Sequence, residues 1–330
     1  MSDSTYTYLI KNKVFNGNTD VFNTLLDLDD EHSEASEICF DLMGLTDLNP
    51  FNMMLIARRL NQFRKKYPNK PFRFLRKDVN DYLGHMGFYN AMGSDVYGKK
   101  MGEARGSNTY IPIHEIDFSK LNFYYEIEPL AKKLAEVLKF DRSLANFIQY
   151  AFVETIRNVY EHSQSSKAFV CAQKWVTHDL VEIAVLDEGC GISNAMKKFS
   201  PLSTEEELLR FALIPGVSAK SNHAFLGKDD EWSNSGYGLY ILKELCNTYN
   251  GSFTICSNHY AIRFYASGKS ELFKTSFNGT VVCLRFKTDL NINFAQERSR
   301  IVIEGQRIAK DYKNTIKKAS KSSGGNYGQA

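Results

Sequence analysis

Hydrophobic positions change their spacing along the chain, and the changes mark the elements. Glu-Ile-Cys-Phe-Asp-Leu-Met (37–43) is a compact apolar run ended by Gly44, which predicts a buried strand. Asn49 and Pro50 then offer a cap and a first helical position. Met53, Ile56, Leu60, Phe63 and Tyr67 follow at helical spacing on one face, until Pro68 and Asn69 break the pattern. Residues 71–75 predict a second strand and 79–86 a short helix with Gly87 as its C-terminal cap. Residues 36–93 thus predict a small β-α-β-α module, preceded by a polar, weakly patterned arm over 1–35.

Residues 94–119 begin rich in Gly, Ser, Asn and Lys and predict a surface linker. That would leave the module separable from the second domain, so that a fragment starting near residue 115 keeps the second domain's activity. Beyond the linker, helical periodicity covers 126–139 and 143–162, and strands are predicted at 168–176 and 180–186. A helix near 203–213 starts at a capping box made by Ser203 and Glu206. Residues 215–236 are a long polar loop of the kind that is usually functional, often a lid. A helix at 237–249 and strands near 252–257, 260–266 and 279–287 complete a layer of helices over a mixed sheet, an α/β (α+β two-layer) class. Residues 291–320 predict a polar, basic helix, and the Gly- and Ser-rich end predicts disorder.

Composition narrows the class. The chain has 330 residues, of which 43% are hydrophobic and 24% charged, a balance that excludes whole-chain disorder. No apolar run reaches the roughly 18 residues of a transmembrane helix, and the N-terminus shows no secretory signal. Lys plus Arg number 41 against 38 Asp plus Glu, too even a balance to argue for nucleic acid or membrane by charge. The six cysteines lack C-x-x-C spacing and predict reduced, buried thiols in a cytoplasmic protein.

Three short stretches of the second domain carry candidate chemistry. Glu154, Asn158 and His162 recur every four residues, so one helix face presents a carboxylate, an amide and an imidazole. Taken alone, that stripe fits either a site or a solvated polar face. The run Val-Glu-Ile-Ala-Val-Leu (181–186) leads into Asp187, followed by Gly189 and Gly191. An Asp at a strand end can accept from an amino group, and glycines let a flat ring approach the backbone. Ser-Asn-Ser (233–235) then delivers Gly236 and Gly238 to a helix start, where free amides favour phosphate.

In this order, with a long loop between the second and third stretches, residues 120–288 resemble the GHKL superfamily. This is the ATP-binding fold shared by gyrase B subunits, Hsp90 chaperones, sensor histidine kinases, MutL and anti-sigma-factor serine kinases. The helix around Asn158 resembles the family's N box, 187–191 its first glycine box, 236–239 its second, and Gly279-Thr280 its final Gly-Thr. Val217-Ser218-Ala219-Lys220 is similar to a lid segment of several members. The resemblance implies that Asp187 holds the adenine amino group, helped by Thr280, while Gly189 and Gly191 shape the adenine slot beside Ile192. It implies that Asn158 coordinates Mg²⁺, and that Gly236 and Gly238, with Tyr237 and Leu239, cradle phosphates. Lys220 would reach the terminal phosphate, and Glu154 would be the general base. The domain would then span 120–290, with 291–330 as a basic tail.

More weakly, 36–93 resembles the STAS domain of anti-sigma-factor antagonists, through Leu42-Met-Gly-Leu45, the helix at Pro50 and Asp81-Tyr-Leu-Gly-His-Met-Gly-Phe88. The stretch from Thr46 to Asn52 has no serine, so a phosphoacceptor there would have to be Thr46. Two sequence features are set aside. Ser267-Gly268-Lys269-Ser270 lacks the first glycine of a phosphate-binding loop, since position 263 is Arg263. His114-Glu115 lacks a helical hairpin and follows Pro112. The expected function is ATP binding with Mg²⁺, and hydrolysis or ATP-gated switching that controls a protein partner. The alternatives are a serine/threonine kinase acting on a STAS-like partner, or a non-catalytic nucleotide-gated module. A homodimer is compatible with this reading. The basic C-terminal helix raises nucleic-acid contact, which its interspersed acidic residues disfavour.

Overall fold

The computed structural model describes residues 5–9, 19–28, 35–45, 48–76, 82–95, 109–197, 200, 202–218 and 236–311. The first part of the chain forms β1 (Thr5–Leu9), α1 (Thr19–Asp27), β2 (Glu37–Asp41), α2 (Pro50–Lys66), β3 (Phe72–Leu75), α3 (Tyr82–His85) and α4 (Phe88–Ala91). Then come β4 (Tyr110–Asp117), α5 (Phe123–Val137), α6 (Arg142–His162), β5 (Lys167–Trp175) and β6 (Leu180–Asp187). Next are α7 (Ile192–Met196), α8 (Glu205–Phe211), α9 (Gly238–Thr248), β7 (Ser252–Tyr265), β8 (Ser270–Lys287) and α10 (Phe294–Asp311).

Local chemistry sets the helix starts. The Asn49 side chain accepts from the Asn52 amide at 2.8 Å, with Pro50 in the first turn of α2, and Arg64, Lys65 and Lys66 face the dipole at its other end. Asp141 caps α6 by accepting from Leu144 N–H. The capping box of α8 is made by Thr204 and Glu207, one residue beyond the expected Ser203 and Glu206.

Both strand senses occur, and they are segregated. The small sheet, β1-β2-β3, is parallel. The large sheet has the order β4-β5-β6-β8-β7 with every pairing antiparallel. β1 lies in the stretch expected to be an arm, and β4 in the stretch expected to be a linker. β4 holds a sheet edge, which is where Pro112 is tolerated. The two strands expected near 252–257 and 260–266 are one strand, β7, with register shifts around Asn258.

Both faces of the large sheet are buried. Val181, Ile183 and Val185 of β6 and Val282, Leu284 and Phe286 of β8 share a core with α5, α6 and α9. The alternate residues Ala184, Leu186, Val281 and Cys283 share a second core with α1, α2 and the small sheet. Cys171, Ala184, Cys256, Ala261 and Cys283 make that second face low, so helices α1 and α2 can approach it closely. The Phe51 amide, in the first turn of α2, donates to the buried Glu182 carboxylate of β6 at 3.0 Å. The two units therefore share a core, which argues against the separability expected from the sequence. A fragment beginning at residue 109 would expose Phe169, Leu186, Phe277 and the Glu182 carboxylate. We expect it to aggregate or to bind an apolar dye such as ANS, which soluble expression and dye fluorescence against the full chain would check.

α10 is likewise part of the fold. Phe294, Ile301 and Ala309 are buried, and Arg298 is 4% exposed. On its outer side Arg300 pairs with Glu297 and Arg307 with Glu304. None of the six cysteines is disulfide-bonded, and five of them are buried. Among the described residues, no helix is long and apolar enough to cross a membrane.

Candidate functional site

A cleft opens between α6, the β6–α7 turn, the chain after α8 and the start of α9. Asn158 and His162 line it from α6, and Asp187 from the end of β6. Gly191 and Ile192 line it from the turn, Thr280 from β8, and Gly236, Gly238 and Leu239 from the entry to α9. The three stretches singled out in the sequence, together with Thr280 of β8, thus meet at one cavity.

Asp187 is 3% exposed and lies opposite Thr280 in the β6–β8 register. Its Oδ1 accepts from the Gly189 amide at 2.8 Å. Burial pushes the carboxyl up to about 7, against the lowering effect of the Gly189 and Thr280 amides, and the Glu188 charge adds to the rise. A buried carboxyl in that state gains from any ligand that donates a hydrogen bond to it.

Gly189 does not line the cleft. A Cβ there would lie 2.0 Å from the Ser163 carbonyl oxygen, so this glycine lets the turn close onto the end of α6. The neighbouring Cys190 amide donates to the same carbonyl at 2.7 Å. Tyr237 is also absent from the lining: it is fully buried in the core that α9 shares with α6. Lys220 and Ala219 lie outside the described residues, while Val217 and Ser218 just before them line the cleft. The Gly216 amide donates to the Gly236 carbonyl at 3.1 Å, joining the two described ends of that loop at the cleft.

Glu154 stands one turn before Asn158 and is 2% exposed, behind the cleft wall rather than on it. Arg157 reaches its Oε1 at 3.4 Å. Burial raises the carboxyl pKa, the Arg157 charge lowers it, Glu161 raises it and Arg298 of α10 lowers it. A Cβ on Gly238 would come within 2.4 Å of Glu154 Oε2. The carboxylate is therefore packed against the first turn of α9, beside the amides expected to meet phosphate.

Sequence reasoning missed Ser257 and Asn258. The Ile192 amide donates to Ser257 Oγ at 2.8 Å, and Ser257 Oγ lies 3.3 Å from Thr280 Oγ1. Asn258 Nδ2 donates to Ser193 Oγ at 3.2 Å. The two residues tie the glycine turn to the strand bulge. A polar Ser-Asn pair breaking an apolar strand was the available signal, and the structure places Asn258 at φ 53° in the bulge.

Helices α5, α6 and α9 cover one face of the antiparallel sheet, and a strand-end Asp and a glycine-led helix start meet at one cleft. Residues 144–290 match the family model of histidine kinase-, DNA gyrase B- and HSP90-like ATPases, which gives this stretch a GHKL-type ATPase domain. The match runs from α6 through β8 and leaves the N-terminal unit and α10 outside it. Comparison with curated proteins returned no match.

Proposed function

We propose that the chain binds ATP with Mg²⁺ in this cleft and uses hydrolysis, or the bound state itself, to control engagement of a protein partner. The observation that carries the reading is the convergence of Asp187, Thr280, Asn158 and the Gly236–Gly238 helix entry on one cavity. In it, Asp187 accepts from the adenine amino group, and the first-turn amides of α9 receive the phosphates. The described residues contain no group of three His, Cys, Asp or Glu able to hold a metal. Asn158, which lines the cleft, would hold Mg²⁺ through its amide oxygen, and the ion would supply charge neutralisation to the phosphates. Glu154 is the carboxylate that would orient and deprotonate an attacking water or hydroxyl.

Incubation with γ-labelled ATP and Mg²⁺, followed by separation of free phosphate from protein-bound label, tests the proposal. Free phosphate supports hydrolysis. Label on a co-incubated STAS-like protein supports the serine/threonine kinase alternative instead. ATP binding with neither product supports a nucleotide-gated module. No ATP binding at all refutes the proposal.

A further inference from the structure

The adenine end of the cleft is not held by the ATPase domain alone. Helix α2 of the N-terminal unit presents Arg58, Gln62 and Lys65 at spacings of four and three, along one face. Arg58 Nε donates to Glu188 Oε1 at 2.9 Å, and Nη2 lies 2.8 Å from the same oxygen. Its Nη1 donates to the Ala91 carbonyl at 2.9 Å, and the guanidinium stacks 3.9 Å from the Phe169 ring centroid. Lys65 Nζ reaches the other oxygen, Glu188 Oε2, at 3.4 Å. The Arg58 and Glu188 side chains are 9% and 19% exposed, so their pair is largely withdrawn from solvent screening. Gln62 engages the middle of β8 with both halves of its amide. Nε2 donates to the Asn278 carbonyl at 2.7 Å, and the Asn278 amide donates to Oε1 at 3.4 Å.

These two anchor points flank the cleft. Glu188 follows Asp187 directly, and Asn278 stands two residues before Thr280. Asp187 and Thr280 face each other in the β6–β8 register, and a Cβ on Gly279 would come within 2.0 Å of the Asp187 carbonyl oxygen. The end of β6 and the middle of β8 are therefore packed tightly enough that moving one moves the other.

We infer that Arg58 and Gln62 are positioning residues for the adenine pocket. The N-terminal unit, docked through α2, holds Asp187 at the end of β6 and Thr280 within β8 in their binding geometry. This inference rests on the ATP-binding reading above. Because coupling between sites is reciprocal, ATP also strengthens the docking of α2 on the sheet. The N-terminal unit then senses nucleotide by contact with these two strands, without touching the ligand.

The test is calorimetry on the full chain with Mg²⁺, using two probes: ATP and inorganic tripolyphosphate, which lacks the base. Arg58→Gln and Gln62→Ala should each weaken ATP binding by at least about fivefold, the low end of inter-site coupling. Tripolyphosphate affinity should stay within about twofold, the scatter of independent sites. Glu188→Gln should weaken ATP binding as Arg58→Gln does, and the double variant no more than either single one. Equal weakening of both probes in a folded variant would overturn the inference. So would unchanged ATP affinity in the variants of a wild type that binds ATP. A wild type that binds no ATP removes the ATP-binding reading as well. If Arg58→Gln does not fold, Gln62→Ala, which removes only the contact to Asn278, decides alone by the ratio of the two affinities.

Discussion

Asp187→Asn lowers ATP affinity at least about tenfold while leaving the fold intact. The carboxylate offers acceptors only. An amide presents a donor on one side and a weaker acceptor on the other, and in a residue 3% exposed neither mismatch is relieved by water. Losing a hydrogen bond to a charged group and leaving a buried polar atom unmatched costs about 1.5–3 kcal/mol, a factor of ten or more in affinity. The proton balance gives a second signature. Burial raises the Asp187 carboxyl from 3.8 to about 7, whereas an adenine amino donor favours the ionised form. Binding below pH 7 therefore releases a proton, and ATP affinity falls as pH drops from 7 toward 5. Stability of the empty protein moves the other way. The folded state holds this proton more tightly than the unfolded chain, so the contribution is fully present below pH 3.8 and is lost as pH rises through about 7. In Asp187→Asn both slopes flatten. Calorimetry at pH 6 in buffers of different ionisation enthalpy, with thermal melts across pH 5–8, measures them. A folded variant with wild-type ATP affinity would refute the adenine assignment.

How much of this was legible depends on how local each signal is. The Asn49–Pro50 helix start was legible because one stretch of chain contains the whole of the interaction, and the Asp187-x-Gly-x-Gly turn because its Asp187–Gly189 hydrogen bond is local, although its packing on Ser163 and Ser257 is not. The α8 capping box was nearly so. The run Ser203-Thr-Glu-Glu-Glu207 fits the box in two registers, and only the entry of the chain into the helix selects Thr204 with Glu207. Burial of the large sheet on both faces was written in the continuous apolar runs of 168–172 and 183–186, a pattern that two-sided burial produces. What covers the second face was not. Phe51 and Glu182 are 131 residues apart, and Arg58 and Glu188 are 130 apart. No local rule relates them, so the N-terminal unit read as a separate module. Tyr237 was placed at the nucleotide because it stands between two glycines. Its ring instead fills the core under α9, where helix rotation rather than sequence neighbourhood decides its direction.

Glu154→Gln separates binding from chemistry. Glu154 lies on the Asn158 face of α6, and its Oε2 abuts the position of Gly238 at the start of α9, next to the amides proposed to receive phosphate. A base acts only in the transition state, so its loss lowers turnover with little change in ATP affinity. General bases contribute about 10²–10⁴-fold, some 3–5 kcal/mol of barrier. The amide is the informative substitution because Glu154 is also structural. It pairs with Arg157, and both side chains are 2% exposed. Glu154→Ala removes one partner of a buried ion pair, which costs about 3–5 kcal/mol of stability and mixes unfolding into the rate. Gln keeps the shape and an acceptor for Arg157 while removing the basic oxygen pair. Asn158→Ala gives the contrast: losing the amide proposed to hold Mg²⁺ weakens metal-dependent ATP binding and turnover together. Phosphate release under saturating ATP, with affinities measured with and without Mg²⁺, distinguishes the two. If Glu154→Gln, still folded and still binding, releases phosphate at the wild-type rate, Glu154 is a structural partner of Arg157 and the attacking water takes its base from elsewhere. If turnover falls by two or more orders of magnitude at unchanged affinity, the buried carboxylate behind the helix start is the group that acts on it.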